Sequence, residues 1–93
     1  MVIGTCKIYF RANWVSSLKE KRMIIKSIIG KVKHRFNVSI AEIEMQDSHH
    51  NGVIGFACVS SKTHHADEML QKVINYIESN LEAEIYDIQI EII

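Results

Sequence analysis

The chain has 93 residues, 47% of them apolar and 24% charged, and its formal net charge is zero. That length allows one small domain with a single core, and the composition excludes a disordered chain. The sequence holds no apolar run of membrane-spanning length, and its two cysteines make no disulfide framework, so a soluble protein of the reducing cytoplasm is expected.

The neutral total hides a division. Residues 1–40 carry nine Lys/Arg and one acid, Glu20, whereas residues 41–93 carry two Lys/Arg and ten acids. Seven of the basic residues lie between Lys19 and Arg35. Overall neutrality argues against strong nonspecific attraction to nucleic acid, but it leaves room for a local basic patch.

In chain order, Val2–Ala12 alternates as a strand and lacks the basic start and cleavage site of a secretory leader. Val2, Gly4, Cys6, Ile8 and Phe10 share the face expected to be core, and Ile3, Thr5, Lys7, Tyr9 and Arg11 share the other. Ser17-Leu18-Lys19-Glu20 spells a capping box and predicts a helix to about Phe36. Leu18, Ile25, Ile28, Ile29, Val32 and Phe36 fall within one stripe of about 100°, the width of a core-facing helix surface.

Val38–Met45 reads as a strand whose parity changes along its length, which a bulge, or a strand apolar on both faces, would explain. Gln46–Gly52 reads as a hairpin loop, with Asn51-Gly52 as its turn signal. Val53–Ser60 is a third strand, and a second helix opens at Ser61 or Thr63, with Asp67 and Glu68 in its first turns. Ala66, Met69, Leu70, Val73, Ile74, Ile77 and Leu81 make that helix's apolar face. Glu84–Ile93 closes the chain as a strand, with Tyr86, Ile88, Ile90 and Ile92 expected inward and Ile85, Asp87, Gln89 and Glu91 outward.

The order βαββαβ predicts an α+β, ferredoxin-like domain: a four-stranded antiparallel sheet with two helices on one face. The face without helices would present Ile3, Tyr9 and Ile85, with Ile54 and Phe56 as further candidates. An uncovered apolar face of this kind points to a homo-oligomer.

Ser17–Arg22 (SLKEKR), Arg35–Asp47 (RFNVSIAEIEMQD), the Gly55–Ser60 strand (GFACVS) and the alternating C-terminal strand together resemble the YlxP-like family of small bacterial proteins of unknown function. The resemblance spans the whole chain and implies the same ferredoxin-like fold. Genes of similar proteins often sit beside those for translation initiation and ribosome-maturation factors, which implies a role around the small ribosomal subunit. Ser48-His49-His50 follows Gln46-Asp47 here, where relatives often carry an aromatic or large apolar residue.

The first helix holds the strongest chemical signal. Lys19, Arg22, Lys26 and Lys33 lie along one flank of its apolar stripe, Lys31 and Arg35 lie along the other, and Lys21 completes the basic set. Such a ladder suits a phosphate backbone, each contact releasing counterions, and the family resemblance implies ribosomal RNA as the source of those phosphates. The same charges would also serve a solvated helix face or an acidic protein partner. Gln46, Asp47, His49 and His50 are candidate partner contacts of the loop, although Gln46-Asp47 equally suits a turn.

Tyr9 and Phe56 stand roughly where RNA-recognition motifs place base-stacking aromatics. However, Ile54 precedes Gly55 where a Lys or Arg belongs, and Cys58 and Ser61 occupy aromatic positions, so sheet packing or a dimer seam is the expectation for that face.

His49-His50 and His64-His65 lack metal-ligand spacing, and no metal or cofactor is expected. Cys6 is expected to face the helices and Cys58 the opposite side, which would keep them unpaired. No nucleophile–base order, phosphate loop or pair of acid/base carboxylates can be assembled, so neither an enzyme nor a small-molecule substrate is indicated. The sequence therefore points to a noncatalytic binding protein of ribosome-associated RNA, with a dimeric protein-interaction module as the alternative.

Overall fold

The computed structural model describes residues 1–93. The elements are β1 (Val2–Arg11), α1 (Leu18–Arg35), β2 (Ser39–Glu44), β3 (Asn51–Ser60), α2 (Thr63–Asn80) and β4 (Glu84–Ile92). They form one antiparallel sheet in the order β2-β3-β1-β4. β1 and β2 both run antiparallel to β3, and so parallel to each other. A parallel pair needs a crossover, which α1 supplies as α2 does between β3 and β4. The fold is ferredoxin-like α+β.

α1 begins where the sequence signals it. The Glu20 amide donates to Ser17 Oγ (3.1 Å), but the Glu20 carboxylate reaches one residue further back than a standard box, accepting from the Ser16 amide (2.8 Å) and hydroxyl (3.2 Å). α2 starts without a side-chain cap. It is held by burial of Ala66, Leu70, Val73, Ile74 and Ile77, the apolar face anticipated from its period.

The cross-strand register assigns the faces. Gly4, Cys6, Ile8 and Phe10 stand opposite Cys58, Phe56, Ile54 and Gly52, and directly opposed residues share a face. Cys6, Ile8, Phe10, Ile54, Phe56 and Cys58 all enter the core with the buried faces of α1 and α2. Phe56 and Ile54 therefore point under the helices, which corrects the expectation that they line the open face. Cys58 shares the helix face with Cys6; both thiols are free and buried, but not because they lie on opposite sides of the sheet.

A bulge makes a second correction. β1–β4 pairing shifts between Tyr9↔Asp87 and Phe10↔Ile85, leaving Tyr86 as the extra residue. Ile85 turns inward and packs against the core, and Tyr86 moves to the open face, its ring 6.2 Å from that of Tyr9. The bulge suggested by the parity of β2 lies between Glu42 and Glu44 and sets Ile43 over Gly55.

Asn51 and Gly52 belong to β3 rather than to a turn. The turn lies earlier, where the Ser48 amide donates to the Met45 carbonyl (3.0 Å), with Met45 in the left-handed region at φ 59°. Gly52 is required for another reason: the Phe10 ring lies where a β-carbon at that position would stand.

Candidate nucleic-acid interface

The basic residues of α1 divide into three groups. Lys19, Arg22, Lys26 and Lys33 are exposed along one flank of an unbroken 18-residue helix. Lys31 and Arg35 are exposed along the flank nearer α2, where the Arg35 guanidinium lies 4.8 Å above the Tyr76 ring. None of these six forms an ion pair; the salt bridges in the molecule are Lys7–Glu44 (3.6 Å) and Lys21–Glu42 (3.3 Å).

Lys21 forms the third group and overturns its assignment as a nucleic-acid contact. Its side chain is wholly buried, at 0% exposure. The ammonium donates to the carbonyls of Met45 (2.8 Å), Asn51 (2.9 Å) and, at longer range, Gln46 (3.5 Å). Glu42 Oε2 lies close enough for ion pairing but has no hydrogen-bond partner. Position 21 falls in the inward row with Ile25, Ile28 and Val32, all buried. That spacing of four, seven and eleven residues was the available signal. A buried ammonium there needs acceptors for its protons, and the carbonyls around the β2–β3 loop supply them. Lys21 thereby fastens the loop to the half of α1 that carries Lys19, Arg22 and Lys26.

The loop candidates are consequently held in place. Gln46 and Asp47 are exposed at the centre of the turn. His49 is exposed, and His50 Nδ1 lies 3.3 Å from the Ala12 carbonyl, while the Ala12 amide donates to the His50 carbonyl (2.7 Å). The His64 and His65 rings lie tilted at 59° with centroids 4.2 Å apart on the first turn of α2, and no group of three metal-ligating side chains comes together.

On the open face the structure retains Ile3 and Tyr9 from the expected patch and removes Phe56 and Ile85. The exposed apolar residues lie elsewhere. Val59 (68% exposed) stands opposite Ile3, and Ile93 (66%) exchanges both backbone hydrogen bonds with Ile3, so the three form a row across one end of the sheet. The rest of the face sets Tyr9, Tyr86 and Ile43 among the cations Lys7 and Arg11 and the acids Glu44, Glu84, Asp87 and Glu91, so the open face lacks the positive excess of α1.

Burial pushes the Cys6 thiol from its ordinary value of 9.0 up to about 12, which is the reverse of what a nucleophile needs.

Residues 3–90 match the family described as "Protein of unknown function (DUF503)". The chain belongs to that family. It is also similar to "Uncharacterized protein YlxP" of Bacillus subtilis (strain 168), at 44% identity over 68 residues, 73% of this chain and 74% of that protein. Family and relative agree with the YlxP-like resemblance of SLKEKR and RFNVSIAEIEMQD. No helix of the chain is long and apolar enough to cross a membrane.

Proposed function

We propose that this protein is a noncatalytic, cytoplasmic RNA-binding protein acting around the small ribosomal subunit, with Lys19, Arg22, Lys26 and Lys33 on RNA phosphates. The observation that carries the reading is the contrast within α1: four exposed cations share one flank with no ion-pair partner. A rigid row of unneutralised charge matches a phosphate backbone, where each contact releases counterions. The anchored loop beside this half of the helix offers Gln46 and Asp47 as positioning contacts.

The test is binding of Arg22→Glu/Lys26→Glu to small-subunit ribosomal RNA or intact small subunits at several salt concentrations. Affinity should fall for all sequences, and the log–log salt slope should drop by about two for the pair. Unchanged affinity in a folded double variant removes the reading.

The row Ile3, Val59 and Ile93 favours a second reading, in which a second copy of this chain covers that end of the open face. Sedimentation of the wild type against Val59→Lys tests it: a dimer that the lysine dissociates supports the reading, and a monomeric wild type at tens of micromolar rejects it.

A further inference from the structure

We propose that the groove between α1 and the end of α2 takes an unpaired base of single-stranded RNA, stacked on Trp14, with the adjoining phosphates running past Lys31, Arg35 and Lys72. The proposal rests on the RNA reading above and adds the type of strand and the mode of recognition.

Trp14 is the only tryptophan in the chain and stands 59% exposed in the β1–α1 connection, with Val15 buried beside it. It lines a groove of about 450 Å³ together with Met23 and Ile24 of α1 and Asn80 at the end of α2. That volume lies in the range of clefts that hold small ligands, which is space enough for a nucleoside. An aromatic ring left wet at the mouth of such a cleft provides a flat apolar surface, and base–aromatic stacking is the sequence-tolerant way single strands are held.

The polar groups sort by position. Asn80 Nδ2 donates to the Tyr76 carbonyl (2.8 Å), which leaves its Oδ1 as an acceptor. Glu82 also lines the groove and offers acceptors only. Glu20, on the same wall, is engaged by the Ser16 amide and hydroxyl. Acceptors suit the N–H edge of a base and repel a phosphate, so the interior is built for the base and the backbone stays outside. Cations occupy that outer position: Lys31 lies on the groove, and Arg35 and Lys72 line an adjoining depression that shares Asn80 with it. Lys31 and Arg35 are one helical turn apart, about 6 Å along the axis. Arg35 is held by its stack on Tyr76. A duplex would not serve, because its bases present no free face to Trp14.

The single tryptophan makes the test direct, since its fluorescence reports on its own stacking. The probes are a short unstructured oligoribonucleotide and the duplex of the same sequence. The single strand should quench Trp14 emission and the duplex should not. Trp14→Ala should weaken single-strand binding about tenfold, with duplex binding and far-UV circular dichroism unchanged, and Trp14→Phe should restore most of the affinity.

Wild-type single-strand affinity in folded Trp14→Ala, or binding without quenching, overturns the groove and leaves the phosphate row of α1 standing. Equal loss of single-strand and duplex binding in Trp14→Ala assigns the residue a structural role and also overturns the proposal. Failure of the wild type to bind either RNA overturns both readings. Loss in Trp14→Ala with no loss in Arg22→Glu/Lys26→Glu keeps the groove and removes the phosphate row of Lys19, Arg22, Lys26 and Lys33.

Discussion

Lys21 and Arg22 are neighbours in sequence with opposite fates. Lys21 lies at the centre of the inward face of α1, with its charge absorbed by backbone carbonyls and Glu42, whereas Arg22 stands in solvent with no anionic partner. One step along a helix rotates a side chain by about 100°, enough to convert a cation that organises the fold into one that can meet a ligand. Charge on this helix is therefore informative only after position has been assigned. The six exposed cations are available for binding, and the buried one is a constraint on where the β2–β3 loop sits.

The most severe way to break this contrast is to remove the buried charge. Lys21→Met fills similar space but removes the ammonium's bonds to the Met45 and Asn51 carbonyls and leaves Glu42 without its counter-charge. Removing one partner of a buried pair costs roughly 3–5 kcal/mol, and a chain of this size has little more than that to lose. Urea unfolding should show a loss of about 3 kcal/mol or failure to accumulate folded protein. A wild-type midpoint would mean that the buried arrangement contributes nothing to stability.

The complementary change should leave stability alone. Arg22→Glu/Lys26→Glu alters exposed side chains outside the apolar stripe, so unfolding should shift by no more than about 0.5 kcal/mol per site. Under the proposed function the same variant should lose about tenfold or more in RNA affinity at low salt. A double variant that unfolds early would place these cations in the same structural class as Lys21 and erase the distinction.

The sequence displayed most of this fold because period and parity were consistent over long stretches. The stripe Ile25, Ile28, Val32, the face of α2 and the alternation of β1 all survive in the structure. What was lost depended on single residues. In β3 the large Ile54 and Phe56 flank Gly55 and precede the small Ala57, a local alternation of size that favours the face under the helices for Ile54 and Phe56, whereas apolarity alone puts them among the open-face candidates. In β4 a bulge exchanges Ile85 and Tyr86, and its one local signal is that these two apolar residues are adjacent in a strand that otherwise alternates. Lys21 belongs by charge with its neighbours but by helical angle with Ile25 and Ile28, and the angle decides its place. Trp14, in a connection with no period, gave no indication of the groove it lines.

A milder substitution sharpens the account of the buried pair. Glu42→Gln keeps the size of the side chain and an oxygen near Lys21 but removes the counter-charge. Glu42 Oε2 makes no hydrogen bond, and Lys21 retains its carbonyls, so much of the local bonding is untouched. The expected cost is about 1 kcal/mol by urea unfolding, well below that of Lys21→Met. Equal costs would make the ion pair, rather than the carbonyl bonds, the main restraint on the loop.

The smallest effect near neutral pH extends the contrast from cations to thiols. Burial in the core raises the Cys6 thiol to about 12, against 9.0 for the group in the unfolded chain. The folded form thus holds its proton to higher pH than the unfolded form does. Between pH 9 and 12 the unfolded chain binds fewer protons, so stability falls as pH rises through that window and is insensitive to this thiol below it. Iodoacetamide at pH 8 should therefore modify Cys6 far more slowly in the native protein than in urea, as read by mass spectrometry of the Cys6 peptide. The native rate should rise with pH as the thiolate fraction grows. Equal native and denatured rates at pH 8 would show that the helix face of the sheet opens freely to solvent. That result would also weaken the division between buried and exposed polar groups on which the assignment of Lys21 and Arg22 depends.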